Sequence, residues 1–263
     1  MPFTLAHPAA VVPLAKKRLV FSALVVGTIT PDFEYFLRLA PISRISHSLL
    51  GLLVFCLPAG LLMLWLWHVI LKNALVELLP DSHYRRLLPL CGPFRFRPMS
   101  RFALIVVSVL VGAFTHIAWD SFTHHYGWGV QHLAALRTAL IETGYGPLRL
   151  YNVLQHGSTL VGMVALAALY VRWFRDGGAA GNASSPLSLA ARLWTIASAL
   201  SGAGVVAVVY AWASTPPRSL QSFNRFVATM VLVGMCALWA ELTAFGLWRY
   251  FSRGAQGRSE SVG

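Results

Sequence analysis

Five stretches of the sequence are long and apolar enough to cross a lipid bilayer as helices. A spanning helix needs roughly 20 mostly apolar residues. Only 11% of the residues are charged and 57% are hydrophobic, whereas about a quarter of the residues of a soluble domain are charged. The sequence therefore predicts an all-α, polytopic membrane helix bundle. The five predicted spans are residues 49–71, 102–122, 153–174, 190–213 and 226–251.

A sixth apolar stretch, residues 19–30, is shorter than the others. It stops at Pro31 and Asp32, so its length predicts a re-entrant or interfacial helix rather than a full span. Three basic residues precede it, as in a signal peptide, but no cleavage motif of small residues follows. We therefore expect this short N-terminal helix to be part of the bundle.

The strong positive charge indicates membrane topology rather than nucleic-acid binding. The formal net charge is +12, and the basic residues lie mainly between apolar stretches. This placement is typical of contacts with anionic lipid headgroups, so we expect membrane lipids as partners and no nucleic acid. Whether or not residues 19–30 cross the membrane, the excess of Lys and Arg falls on one side. That side holds the 72–101 loop and the C-terminus, which are therefore predicted to be cytoplasmic.

Composition divides the chain into four parts. Residues 1–175 carry most of the histidines and acidic residues and form the predicted membrane domain with the metal site. Residues 176–188 are rich in Gly, Ala and Ser, as in a flexible linker. Residues 189–251 form a C-terminal pair of transmembrane helices, and residues 252–263 are a predicted disordered tail.

The densest polar group lies at the end of the second predicted span. His116 and Asp120 are four residues apart and share a helical face, which His124 continues one turn further. Imidazole and carboxylate both suit Zn²⁺, and ionisable residues at membrane depth are candidates for function. A structural hydrogen bond between His116 and Asp120 is the alternative interpretation.

Further candidate ligands lie at the ends of neighbouring segments. An up-and-down arrangement places the start of the first span, the end of the second and the start of the third on one side. Helix capping or ordinary polar contacts are the alternatives for these residues. His7 can join them only if residues 19–30 do not carry it to the other face. The further candidates are His7, Asp32, Glu34, His47, His125 and His156.

Several motifs together resemble one family of bacterial membrane proteins. The segments MPFTLAHPAAVVPL, GTITPDFEYFLR, HSLLGLLVF, THIAWDSFTHHYGW and YNVLQHGSTLVG are similar to those of the DUF4184 family. That family resembles the YdjM-like membrane-bound metal-dependent hydrolases and, more distantly, zinc-dependent phospholipase C and the P1-type nucleases. The resemblance covers residues 1 to about 175 and implies a bacterial cytoplasmic-membrane protein.

The resemblance to phospholipase C implies an ordered set of zinc ligands. His7, Asp32, His47, His116 and Asp120 follow the order of ligands in those enzymes, and His124 or His125 supplies the next one. Their later HxxxE pair is missing here, because Leu160 stands four residues after His156. The amine of a mature N-terminus is also not available at His7. The resemblance thus implies one or two zinc ions rather than three.

These observations lead to one leading hypothesis and one alternative. The first is a membrane-embedded zinc hydrolase that acts on a phosphoester or lipid-like substrate, with Asp32 as ligand or general base. Glu34 is then a base or supports the ligands. The alternative is a non-catalytic metal-binding, transport or structural membrane protein, in which the polar cluster joins the helices.

Overall fold

The structure is a computed structural model, and it describes residues 3–143, 146–177 and 181–259. Its elements are helical apart from one antiparallel hairpin. The N-terminal segment, Thr4–Lys16, is a 3₁₀-helix. The elements that follow are α1 (Phe21–Ile29), α2 (Phe33–Arg38), α3 (Leu49–Glu77), α4 (Asp81–Leu87), α5 (Met99–Thr123), α6 (Trp128–His132), β1 (Ala139–Thr143), β2 (Gly146–Arg149), α7 (Leu150–Asp176), α8 (Leu189–Ser214) and α9 (Leu220–Ser259).

The predicted membrane helices are confirmed. Within the residues that the structure describes, five helical stretches are long and apolar enough to cross a membrane, as expected for an integral membrane protein. The helices extend beyond the predicted apolar ranges, because polar residues at their ends continue the helical hydrogen bonding. The stretches are Leu49–Glu77, Met99–His132, Leu150–Asp176, Leu189–Ser214 and Gln221–Arg253.

The short N-terminal helix is also confirmed, whereas the 3₁₀ segment before it was not predicted. Helix α1 has 9 residues, which at 1.5 Å per residue is about 14 Å and too short to cross a bilayer. The N-terminal 3₁₀-helix has 13 residues and contains Pro8 and Pro13. Runs of 3₁₀-helix longer than a few residues are uncommon. A 3₁₀-helix of this length is therefore not what a sequence pattern would predict.

Two glycines let α1 and α5 pack backbone to backbone. An added Cβ at Gly27 would lie 2.2 Å from the carbonyl oxygen of Val109, and one at Gly112 would lie 2.2 Å from that of Leu24. Only glycine leaves room for this approach, as at other close helix contacts in membranes. The contact holds the C-terminal end of α1 beside α5, one turn before His116.

The chain divides into two compact units. The first comprises the described residues of 1–34, 43–64 and 96–176, and it contains all the residues discussed below as metal ligands. The second comprises the described residues of 35–42, 65–95 and 177–263. Within the second unit α8 packs against α9, and the buried Glu77 pairs with Arg249 and Arg253.

Three connecting regions lie where the sequence predicts a loop, a flexible linker and a disordered tail. The predicted surface loop at 72–101 includes the end of α3 and all of α4. In the predicted linker, Ser185 donates its hydroxyl to the carbonyl oxygen of Glu77 at 2.7 Å, while residues 178–180 lie outside the described residues. Helix α9 continues into the predicted tail as far as Ser259, and residues 260–263 lie outside the described part.

Candidate metal centre

His116 and Asp120 form the centre of the site on the buried face of α5. Their side chains are four residues apart, and the Nε2 atom of His116 lies 3.3 Å from Oδ2 of Asp120. Both residues are buried, at 1% and 6% exposure. The helical spacing thus brings together the pair that the sequence indicated, and the surrounding bundle shields it from solvent.

Asp32 and His47 approach this pair from two other segments. Asp32 lies in the 3₁₀ turn Thr30–Asp32 that follows α1 and is completely buried. Its Oδ1 atom lies 3.5 Å from Nε2 of His116 and 3.6 Å from Nε2 of His47. The same His47 nitrogen is 3.6 Å from Oδ2 of Asp120. Two carboxylates and two imidazoles therefore face a common centre.

His7 completes the cluster from the N-terminal segment. Its ring stacks on that of His116, with the ring centroids 3.7 Å apart, and its Nε2 atom is 3.6 Å from Oδ1 of Asp120. Burial and the neighbouring His116 lower the pKa of His7 to about 4. His7 is consequently neutral at pH 7, which is the form in which imidazole binds a metal ion.

Hydrogen bonds orient two of these imidazoles. The Nδ1 atom of His116 is 2.7 Å from the carbonyl oxygen of Thr28 at the end of α1. A carbonyl can only accept, so Nδ1 carries the proton and Nε2 keeps its lone pair. The Nδ1 atom of His47 is 3.0 Å from the hydroxyls of Ser43 and Ser46. Such outer contacts are typical of metal-binding histidines.

Thr4 supports Asp32, a contact that the sequence analysis did not identify. The Thr4 hydroxyl donates to Oδ2 of Asp32 at 2.5 Å, which leaves Oδ1 for the cluster. Burial raises the pKa of Asp32, but the neighbouring imidazoles of His116 and His47 and the hydrogen bond from Thr4 outweigh it and hold that pKa below its ordinary value. Thr4 and His7 are three residues apart, which is one turn of a 3₁₀-helix, so they share a face.

The ligand atoms form two overlapping groups. His7, His116 and Asp120 form one, and Asp32, His47 and His116 form the other; within each group the candidate ligand atoms lie within 4.8 Å of one another. Oδ1 of Asp120 faces His7 and is 3.5 Å from Nδ1 of His124. Oδ2 faces His47 and His116. The Asp120 carboxylate thus has one oxygen directed toward each group.

The buried nitrogen and oxygen atoms of the cluster would be satisfied better by a metal ion than by hydrogen bonds to one another. Within the part of the chain that the structure describes, several of these buried atoms lack a hydrogen-bond partner. They are Nε2 of His7, His116 and His124 and Oδ1 of Asp32 and Asp120. Buried polar groups in folded proteins are normally paired, and each exception needs an explanation. A cation of the zinc type satisfies imidazole nitrogens and carboxylate oxygens together.

Four candidates lie outside the two groups: His124, which lies beside Asp120, and Glu34, His125 and His156. Glu34 is buried, but its carboxylate accepts the backbone N–H groups of Arg44, Ile45 and Ser46. It therefore holds the loop that carries His47. His125 and His156 are exposed, and the ring of His125 instead contacts Tyr126. The positions of both histidines near helix ends predict that they join the other candidate ligands, but their side chains face outward.

The structure defines the class of this protein, and comparison with known proteins defines its family. The helices and the buried His/Asp groups describe a helical membrane protein with a candidate metal centre. The profile of DUF4184, a domain of unknown function, matches residues 1–246. The chain belongs to this family. No curated protein and no solved structure matches it.

Proposed function

We propose that the protein is a membrane-embedded, zinc-dependent hydrolase that acts on a phosphoester or lipid-like substrate. One observation carries the proposal: three imidazoles and two carboxylates from four separate segments meet at a common centre. Within the described part of the chain, buried donor atoms of four of these residues, His7, Asp32, His116 and Asp120, have no hydrogen-bond partner. Bringing several ionisable groups to a buried position is costly. A bound cation offsets that cost, and the same cation is useful for hydrolysis.

The two groups define the residues that would hold zinc. His7, His116 and Asp120 supply one set of donors, and Asp32, His47 and His116 the other. His124 stands beside Oδ1 of Asp120 as a further donor. Catalytic zinc sites commonly use three protein ligands and keep one position open. We infer one or two zinc ions, and a pair would have to divide the donors differently, because both sets include the single available nitrogen of His116.

The side chains around the centre have different proposed roles in hydrolysis. Zinc, when bound, lowers the pKa of a water ligand to about 7 and polarises a phosphoryl oxygen. Asp32 acts as a ligand or as the general base, because Thr4 occupies only Oδ2 and leaves Oδ1 facing the cluster. Glu34 acts as a positioning residue, since its oxygens are engaged by the loop that carries His47.

The expected location follows from the apolar helices and the charge distribution. We propose the cytoplasmic membrane of a bacterium, with membrane lipids as partners and the C-terminus in the cytoplasm. The excess of Lys and Arg on the side of the 72–101 segment supports this orientation. A fusion of a cytoplasm-specific reporter to the C-terminus tests it, and an inactive reporter there would reverse the orientation.

The alternative is a non-catalytic role in metal binding, transport or helix packing. It is supported by the fact that His116 and Asp120 can pair with each other and with neighbouring segments without a cation. Transport sites usually lie near the middle of the membrane, whereas Asp120 and His124 lie at the end of α5. The end position favours hydrolysis at the membrane surface.

The first experiment counts zinc in the purified protein. Protein in mild detergent is analysed by elemental mass spectrometry, as wild type and as His116→Ala and Asp120→Ala. His83→Ala, in α4 outside the cluster, is the matched control. We expect near-stoichiometric zinc in wild type and control and a loss in both site variants. Folded wild-type protein that takes up no supplied zinc would refute the proposal.

Activity is then measured with bis(4-nitrophenyl) phosphate and with phospholipid vesicles. We expect zinc-dependent turnover in wild type and in His83→Ala, and no turnover in His116→Ala. Tight zinc binding without hydrolysis of either substrate would instead favour the non-catalytic role.

A further inference from the structure

An apolar groove runs along the outside of the candidate metal centre. Its volume is about 580 Å³, within the range of small-molecule sites. One wall is the N-terminal 3₁₀ segment, the opposite wall is the first part of α7, and Trp119 of α5 lies between them. The lining residues are Ala6, His7, Ala9, Ala10, Trp119, Val153, Leu154, Gly157, Ser158, Val161 and Gly162.

The two walls are fixed to each other by specific contacts. The backbone N–H of Phe3 donates to the hydroxyl of Thr159 at 3.0 Å. An added Cβ at Gly162 would lie 3.0 Å from the carbonyl oxygen of Ala6. Trp119 donates its indole N–H to the hydroxyl of Ser158 at 3.1 Å. The groove is therefore a formed part of the structure, and its polar wall groups other than His7 are already hydrogen-bonded.

The groove connects the lipid-facing surface to the metal centre. At its outer side Val153 and Val161 are 41% and 68% exposed, on a helix apolar enough to span a membrane. At its inner side His7 is 6% exposed, and the His7 Nε2 atom faces Asp120. A molecule in the groove would thus touch both hydrocarbon and a candidate zinc ligand.

The dimensions match one leaflet of a bilayer. The lining residues of α7 extend from Val153 to Gly162, which is about 14 Å along a helix axis at 1.5 Å per residue. The hydrocarbon core is about 30 Å thick, so one leaflet is about 15 Å. The lining residues described include no Asp, Glu, Lys or Arg, so the groove suits a hydrocarbon chain rather than a charged group.

We infer that this groove binds the hydrocarbon chain of a membrane amphiphile, which enters sideways from the bilayer and places its polar head at the His/Asp cluster. The inference rests on the proposed function and narrows its substrate class to a lipid with at least one long chain. His7 has two roles in this arrangement, as a zinc ligand and as the inner end of the groove. Water-soluble phosphodiesters would use the cluster without the groove.

Gly157 offers a way to fill the groove without disturbing its walls. An added Cβ at Gly157 meets nothing within 4 Å, and Gly157 lines the groove. The variant Gly157→Phe therefore places a large side chain at the groove. Gly204→Phe is the matched control, because Gly204 also lies in an apolar helix, α8, with nothing within 4 Å of an added Cβ.

The test is photo-labelling in reconstituted vesicles. The vesicles contain phosphatidylethanolamine and phosphatidylglycerol with a small fraction of phosphatidylglycerol that carries a diazirine at the end of one acyl chain. After illumination, mass spectrometry measures labelling of peptides that contain Ala9, Ala10 and residues 153–162. We expect strong labelling in wild type and in Gly204→Phe and loss of most of it in Gly157→Phe. Equal groove labelling in Gly157→Phe and wild type would overturn the inference.

Two further measurements separate this inference from the proposed function. Zinc content is determined on the same samples, and Gly157→Phe should keep the wild-type value because its side chain lies outside the ligand groups. Groove labelling without any bound zinc would refute the hydrolase and leave a lipid-binding groove.

If hydrolysis is found, Gly157→Phe should raise the KM for long-chain phospholipid and leave the KM for bis(4-nitrophenyl) phosphate unchanged. Equal losses for both substrates would count against chain binding in the groove.

Discussion

The imidazole of His7 lies stacked on that of His116, with an angle of 17° between the ring planes. The two residues come from distant segments of the first unit, one from a 3₁₀ segment and one from a spanning helix. Two protonated rings at this separation would repel each other strongly in a buried site. The stack is therefore compatible with neutral imidazoles, and their Nε2 atoms both face Asp120.

The variant His7→Ala tests the contribution of the N-terminal segment. His7 belongs to one ligand group, whereas His116 belongs to both. We expect His7→Ala to lose part of the bound zinc and His116→Ala to lose more, as measured by elemental mass spectrometry. His156→Ala, an exposed histidine outside both groups, is the control and should match wild type. Unchanged zinc in His7→Ala would remove this residue from the ligand set.

The variant Glu34→Gln tests whether Glu34 positions the loop that carries His47. A glutamine nitrogen cannot accept the backbone N–H bonds that Oε2 of Glu34 accepts from Ile45 and Ser46. We expect a loss of about 1–3 kcal/mol in the free energy of unfolding, because buried groups lose their partners. Denaturant titration in detergent measures it, with the exposed Glu142→Gln as control.

The same variant distinguishes positioning from proton transfer. A positioning residue should weaken zinc affinity through displacement of His47, so that added zinc restores activity. A loss of turnover at saturating zinc, with unchanged stability and affinity, would instead identify Glu34 as a base.

Zinc binding should release a proton at neutral pH. Burial lowers the pKa of His47, but the neighbouring carboxylates of Asp120 and Asp32 favour the protonated ring, outweigh burial and raise that pKa above its ordinary value. His47 therefore retains a proton at a pH where a free histidine has lost it, and a metal ion must displace this proton. Apparent zinc affinity should consequently rise with pH through this range.

Calorimetry in two buffers of different ionisation enthalpy measures the proton release directly. We expect the apparent binding enthalpy of wild type to differ between the buffers, and the difference to shrink in His47→Ala. Identical enthalpies in both buffers for wild type would contradict a protonated His47.

The variant Gly112→Val tests the link between helix packing and the site. A Cβ at Gly112 would lie 2.2 Å from the carbonyl oxygen of Leu24, so α1 and α5 must separate. That separation moves the Thr28 carbonyl away from Nδ1 of His116. We expect a lower unfolding temperature together with lost zinc, whereas Gly204→Val, made in open space, should retain both. Normal zinc content in Gly112→Val would show that the glycine contact does not position the site.

The spanning helices and the central pair of the site were predictable because each depends on local periodicity. Apolar runs near 20 residues define the helices, and a spacing of four places His116 and Asp120 on one face. The order of the segments also suggested Asp32 and His47. These inferences required only helix geometry and an up-and-down arrangement of neighbouring helices.

Other features depend on contacts between distant segments. The 3₁₀ form of Thr4–Lys16 puts Thr4 and His7 on one face, but nothing in the apolar pattern indicates a three-residue period. His156 lies near the start of α7 as expected, yet rotation about the helix axis directs it outward, and His125 lies in the turn after α5 and is also exposed. Rotation is set by packing, here by glycines such as Gly27, and a single sequence does not reveal it.

The separation of Asp32 from its partners along the chain imposes an order on membrane insertion. The ribosome delivers Asp32 and His47 to the bilayer well before α5, which brings His116 and Asp120. Among the described residues that contact the Asp32 carboxylate, Thr4 and His47 precede α5 in the chain and His116 belongs to it. Nascent chains that stop before residue 116 therefore present an incompletely neutralised acid to the membrane, and insertion of α5 is the step that secures the N-terminal segment.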